Sequence, residues 1–276
     1  MLFSTFPIKD SFGTGRNLEK TSWAEISTIA KTGKASKCFS IGDRKSLVVN
    51  GNTYCARIIG FNHDDLVSTD NYGTTTGGKA GITFDVKELL PDPAKYYSKT
   101  LPSDTYKISW GGGDDGYEST LRSETLPSIK TSLPTDLQSV IVPVKKVYLY
   151  YYSDTLARNT KTSNDELFLL SMSEMGLVGA SSAYPEGEVY PFFDSFGAKA
   201  TTFCRGLVID TTGTSYQHLC RYFTRSIYGG FTSEGAIEVH ALGIGLNSYN
   251  NVTRYGIAFD SSGSVADTYT NFSFCV

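Results

Sequence analysis

Asn62-His63-Asp64-Asp65 sets an imidazole beside two carboxylates at the end of a β-prone run. That grouping has the chemistry of a metal ligand or a general base, because imidazole is a common ligand and Asp a common orienting partner. Consecutive residues of a strand or loop point in different directions, however, and no second His stands at a ligand spacing. A structural role, with the side chains capping the loop backbone, is the expectation. Asp114 and Asp115, in the run Gly111-Gly112-Gly113-Asp114-Asp115-Gly116, offer the hard oxygens that calcium takes. They lack the EF-hand spacing and the nonapeptide repeat of calcium β-helices, so a solvated turn is expected. The sequence holds no GxSxG elbow, and none of its imidazoles, His63, His218 and His240, sits in a recognisable motif. Neither a Walker-type phosphate loop nor a dinucleotide fingerprint occurs. The expectation is a protein that is not an enzyme, with no catalytic residue, metal site or cofactor assigned.

The stretch from Arg221 to Phe231, Arg-Tyr-Phe-Thr-Arg-Ser-Ile-Tyr-Gly-Gly-Phe, carries a different chemistry. Aromatic rings beside Arg supply flat apolar faces with hydrogen-bond donors close by, which suits sugar rings or a protein partner. Tyr249, Asn250, Asn251, Arg254 and Tyr255 have the composition of binding loops. From these two segments Tyr222, Arg225, Tyr228, Phe231, Tyr249, Asn250 and Arg254 are the candidate ligand-binding residues. The competing expectation is that half of these rings belong to the core.

Elements able to hold such residues are legible from pattern. Ser22 and Glu25 have capping-box spacing, and Trp23, Ile26, Ile29 and Ala30 fall on one helical face, with Gly33 at the expected C-terminal cap. Two β-prone runs flank Asn50-Gly51 between Ser46 and Gly60, which predicts a hairpin. A polar loop is expected over 61–80 and a short strand over 82–86. Helical spacing returns over 119–132, where Pro127 is expected to kink or split the helix, and Pro134-Thr135-Asp136 opens another short helix. Strands are expected over 147–152 and 167–172, the second apolar on both faces and therefore central and covered. Beyond about residue 184 the chain alternates short aromatic or β-branched runs with Gly, Ser and Asn turns.

The 276 residues suffice for one large domain or two small ones, and no low-complexity linker divides them. One domain is expected: a helix-plus-hairpin scaffold over about 1–175 and a loop-rich half over about 176–276. With 25 Lys+Arg against 28 Asp+Glu, a net charge of −3 argues against a nucleic-acid partner. No apolar run reaches the length of a membrane helix, and the first residues lack a basic region followed by an apolar one, so neither membrane insertion nor a secretory signal is expected. The five cysteines, Cys38, Cys55, Cys204, Cys220 and Cys275, are scattered and form no CxxC. Buried free thiols in a chain folded in a reducing cytoplasm are the expectation, rather than disulfides or zinc.

Several segments together resemble a domain-of-unknown-function family of gut bacteria and their phages. They are Trp23-Ala24-Glu25-Ile26-Ser27, Phe39-Ser40-Ile41-Gly42-Asp43, Gly60-Phe61-Asn62-His63-Asp64-Asp65-Leu66 and Lys79-Ala80-Gly81-Ile82-Thr83-Phe84. Further on come Leu133-Pro134-Thr135-Asp136-Leu137, Leu167-Phe168-Leu169-Leu170-Ser171 and Tyr222-Phe223-Thr224-Arg225-Ser226, with closing strands at 259–265 and 272–276. The family has no assigned reaction. The resemblance implies an α+β chain with antiparallel sheets, a few short helices and long loops, its C-terminal half C-type-lectin-like. The sugar-reading triplets of calcium lectins are absent, and Cys220 and Cys275 lack the local pattern of the copper site in formylglycine-generating enzymes.

The functional expectation is a non-catalytic virion protein of a bacteriophage, on the tail, baseplate or capsid surface, presenting C-terminal loops to host glycan or protein. Its expected partners are other virion proteins, host-surface glycan or protein, and further copies of itself. The alternatives are a purely structural assembly or connector protein and, behind that, a bacterial cytoplasmic enzyme.

Overall fold

The computed structural model describes residues 15–49, 51–69, 78–87, 122, 126–151, 158–171, 173–176, 186–196, 222–228, 238–244, 252–257 and 274–275. Antiparallel sheets and a few short helices make up the described chain, an α+β architecture.

A short 3-10 turn, Leu18–Lys20, leads into helix α1, Trp23–Lys31. The helix begins where the capping box predicts: the Ser22 hydroxyl accepts from Glu25 N–H at 3.3 Å, and the Glu25 carboxylate accepts from Ser22 N–H at 3.0 Å. It ends at Gly33, whose φ of +68° suits glycine and whose N–H bonds the Ala30 carbonyl at 3.0 Å. Helix α2, Ala35–Cys38, is a single turn. Strands β1, Arg44–Val49, and β2, Asn52–Phe61, pair antiparallel with Val49 opposite Asn52, so Asn50-Gly51 is the whole loop, with Gly51 at φ +79°.

Strand β3, Ile82–Lys87, pairs with β2, and β9, Phe274–Cys275, pairs with β3, giving the order β1-β2-β3-β9. A register shift between Ile58 and Gly60 inserts Ile59, and both Ile58 and Ile59 end fully buried. One face of the sheet carries Leu47, Ala56 and Phe84, and Trp23 of α1 meets Phe84 edge-on at 5.3 Å. On the other face lie Arg57 and Asp85, ion-paired at 3.0 Å, with the Phe192 ring 3.9 Å from the guanidinium carbon of Arg57. Phe192 belongs to α5, Pro191–Phe196.

The helix expected over 119–132 is, within the described residues, α3, Leu126–Ser132. Pro127 is the second residue of the described helix, and the stretch before it, where a kink or split is expected, lies outside the described residues apart from Arg122. Helix α4, Thr135–Gln138, follows Pro134 as the sequence predicts. Strand β4, Val144–Tyr151, pairs with β5, Arg158–Asp165. The strand expected over 167–172 is corrected: residues 167–171 are buried but join none of the sheets, and β5, just upstream, is β4's partner. Other groups occupy that backbone, as the Leu169 and Leu170 carbonyls accept from Arg225 and the Ser171 N–H donates to the Glu174 carboxylate.

Strands β6, Tyr222–Tyr228, β7, Glu238–Ile244, and β8, Val252–Ile257, form a three-stranded antiparallel sheet. No helix among the described residues is long and apolar enough to cross a membrane. Cys38 and Cys55 are free thiols, Cys38 buried and Cys55 half-buried.

Candidate functional site

Among the described residues a buried group of ionisable side chains joins Asp64, Lys146, Glu174 and Arg225, two anions and two cations, none more than 4% exposed. Each is placed by local chain geometry. Asp64 lies in the loop after β2, whose backbone is held by antiparallel bridges from Asp65 to Lys79 and from Leu66 to Val144. Lys146 is on β4 between Val144 and Tyr148, the inward positions of a strand whose alternation gives a core-facing site to lysine. Glu174 is fixed by a reciprocal pair: its N–H bonds the Ser171 hydroxyl and its carboxylate accepts from Ser171 N–H, both at 3.0 Å. Arg225 is on β6, anchored by its own N–H to the Leu170 carbonyl at 3.1 Å.

The Lys146 ammonium has three N–H donors, and three acceptors take them: Asp64 at 2.6 Å, Glu174 at 2.6 Å and the Tyr190 hydroxyl at 2.9 Å. Its charge also lies 4.0 Å from the Phe168 ring. Tyr190 donates in turn to Asp64 at 2.7 Å, and Thr83 donates to the other carboxylate oxygen at 2.5 Å. Arg225 donates to Glu174 at 2.5 Å and to the carbonyls of Leu169, Val147 and Glu186.

Burial alone would push the Asp64 carboxyl up. The Lys146 charge, with hydrogen bonds from His63, Lys146 and Thr83, overrides it and holds the group well below the usual carboxylate range. Burial likewise opposes ionisation of Glu174, and the charges of Arg225 and Lys146 more than reverse it. Burial disfavours the charged Arg225, and Glu174 raises its pKa above the ordinary value. A general acid or base works with a pKa near the operating pH. Asp64 and Glu174 are instead fixed as anions, with their lone pairs already engaged.

His63, Asp64 and Asp65 do not converge. The His63 ring stacks on Tyr190 at 3.9 Å with Nδ1 3.4 Å from Asp64, whereas Asp65 turns outward to pair with Lys79 at 2.7 Å. Where the sequence predicts capping of the loop backbone, Asp64 instead binds the side chains of Thr83, Lys146 and Tyr190 on distant elements. Gly60 makes room for the stack, since a Cβ there would lie 2.9 Å from the Tyr190 ring and 3.2 Å from the His63 Cβ. Among the described residues no three His, Cys, Asp or Glu side chains form a metal-ligand set.

Of the candidate ligand-binding residues, Arg225 is corrected. It is 1% exposed, and its guanidinium is spent on Glu174 and three carbonyls, so it cannot reach a surface ligand. Tyr222 and Tyr228 lie with it on β6 and Arg254 lies on β8. Phe231, Tyr249 and Asn250, like Asp114, Asp115 and His218, are outside the described residues. Sequence reading missed Lys146, Glu174 and Tyr190 as partners of Asp64. Two signals were present: Ser171-Met-Ser-Glu174 has the capping-box spacing, and Lys146 sits in register with Val144 and Tyr148.

Comparison of the chain with protein-family models, curated proteins and solved structures finds no match.

Proposed function

We propose that the chain is a non-catalytic surface protein of a bacteriophage particle, its first half a stiff mount and its C-terminal half a C-type-lectin-like recognition module for host glycan or protein. The observation that carries the reading is the commitment of the buried charged cluster: Asp64, Lys146, Glu174 and Arg225 are sealed, mutually neutral and already hydrogen-bonded. Charges so engaged set geometry and leave no proton to exchange with a substrate. The antiparallel sheet β6-β7-β8 and the Tyr- and Asn-rich runs around it accord with a recognition half on a fixed support. Tyr222, Tyr228, Phe231, Tyr249, Asn250 and Arg254 are its binding residues in this reading.

The test is binding of the fluorescently labelled full chain to a panel of gut-bacterial cells and to a glycan array, with and without EDTA. Metal-independent binding that falls at least tenfold in a Tyr228→Ala, Arg254→Ala double variant of unchanged thermal midpoint is the expected result. No binding to any cell or glycan, or binding indifferent to the double variant, overturns it.

A further inference from the structure

A cavity of about 400 Å³ opens between α3 and the end of β5, and none of the four charges of the buried cluster lines it. Its size falls within the roughly 300–1,000 Å³ of small-molecule sites. Five polar side chains line it: Arg122, Lys130, Asn164, Asp165 and Glu166. Arg122 pairs with Asp165 at 2.5 Å and Lys130 with Glu166 at 2.7 Å, so the charges of the wall cancel. Asp165 is further held by the Ser163 hydroxyl. Leu126, Pro127 and Leu167 supply an apolar patch on the same wall.

That lining selects by chemistry. With no net charge, the wall has no overall preference for an anion or a cation, and a charged ligand would compete with the partners already in the two ion pairs. The groups present nonetheless have large hydrogen-bonding capacity: three donors on Lys130, two acceptor oxygens on Glu166, and a donor and an acceptor on the Asn164 amide. A ligand that matches is uncharged, dense in hydroxyls that both donate and accept, and apolar on one face. A sugar ring has those three properties.

We propose that the cavity between α3 and β5 binds a neutral monosaccharide or one neutral ring of a glycan. The site needs neither the C-terminal strands nor a virion location, so it stands or falls apart from the function proposed above. The two ion pairs act as prepositioned hydrogen-bonding groups, already oriented before the ligand arrives, and the ligand displaces water rather than counter-charges.

Saturation-transfer NMR on the full chain tests this with the methyl glycosides of glucose, galactose, mannose and N-acetylglucosamine, and with glucuronate, N-acetylneuraminate and glucosamine as charged counterparts. At least one neutral glycoside is expected to receive saturation, with a Kd on the order of millimolar, as suits a ligand of this size. The signal should vanish in Asn164→Trp, which places a ring in the mouth, and weaken at least tenfold in Glu166→Ala. It should survive in Tyr228→Ala. Thermal midpoints within a few degrees of the parent keep the two cavity variants interpretable, and Lys130→Ala replaces any that fails to fold. The proposal is overturned if no neutral glycoside binds, if the charged sugars bind more tightly, or if binding is indifferent to the cavity variants. Loss of the signal in Tyr228→Ala alone would also overturn it, by moving the site to β6.

Discussion

Replacing Arg225 by alanine is the sharpest probe of how this fold is held together. The change removes the strongest partner of Glu174 and leaves that carboxylate, 1% exposed, with Lys146 and the Ser171 N–H. Removing one member of a buried ion pair costs about 3–5 kcal/mol, because the survivor stays desolvated without compensation. The carbonyls of Val147, Leu169 and Glu186 also lose a donor. Each buried acceptor left unpaired adds about 1–3 kcal/mol, offset in part by water entering the vacated space. Total stabilities of domains run to about 5–15 kcal/mol, so the variant should lie near the edge of unfolding. Even the lower part of this range would lower the thermal midpoint by about 6–20 °C for a chain of this size.

The internal control is the exposed pair between Lys79 and Asp65, at 2.7 Å against 2.5 Å for Arg225 and Glu174 but with side chains 36% and 61% exposed. Lys79→Ala should cost no more than about 1 kcal/mol, because solvent screens the pair and ordering two side chains offsets it. Urea denaturation followed by far-UV circular dichroism compares the two variants. Arg225→Lys keeps the charge but replaces a planar fork with one point donor, and should fall between wild type and Arg225→Ala. The pair Arg225→Met, Glu174→Gln leaves Asp64 and Lys146 as a neutral couple. It should therefore destabilise by less than the sum of its single changes, with a coupling of about 0.5–3 kcal/mol. An Arg225→Ala loss no larger than that of Lys79→Ala would refute the reasoning, since Glu174 would then be solvated or otherwise paired in solution.

Two further outcomes follow from the same structure. Asp64 and Glu174 are held below their unfolded values, so their contribution is complete above the unfolded pKa of about 4 and is lost as pH falls through the folded values; stability in urea should drop steadily below about pH 5, and a flat profile down to pH 3 would contradict it. Gly81→Ala should destabilise by about 1–3 kcal/mol on steric grounds, as its Cβ would lie 2.5 Å from the Ala30 carbonyl oxygen, and a melting midpoint equal to wild type would show that the end of α1 yields freely.

The elements that depend on neighbours in sequence were legible and those that depend on partners in space were not. The capping box of α1, its glycine stop, the Asn50-Gly51 hairpin and the short helix after Pro134 each follow from a few adjacent residues, and each stands where the pattern places it. Strand β5 went unseen because Arg-Asn-Thr-Lys-Thr-Ser-Asn-Asp carries no apolar alternation; it pairs with β4 through its backbone, and of the side chains over 160–165 Ser163 and Asp165 are buried. Residues 167–171 misled in the opposite direction, since a continuous apolar run records burial without recording what bonds the backbone. Arg225 misled for a related reason. An arginine among tyrosines has the composition of a binding loop, and only the positions of Glu174 and of three carbonyls make it a core residue.

The cluster also constrains where function can reside. Its four charges come from the loop after β2, from β4, from the turn at Glu174 and from β6, and Tyr190 is contributed just before α5. No subset containing three of the charges is neutral, so any arrangement lacking one segment strands a charge in the interior, which is strongly unfavourable. The apolar residues around it tolerate exchange more readily, because apolar packing is non-directional and volume-conserving swaps cost little. Neutrality thus ties together the loop after β2, β4, the turn at Glu174 and β6, with Arg225 fastening β6 to that turn and the carbonyls beside it. Committed in this way, these four charges lend rigidity and hold no proton to exchange. In the proposals above, recognition falls to what this frame leaves open, the cavity under α3 and the strands β6–β8.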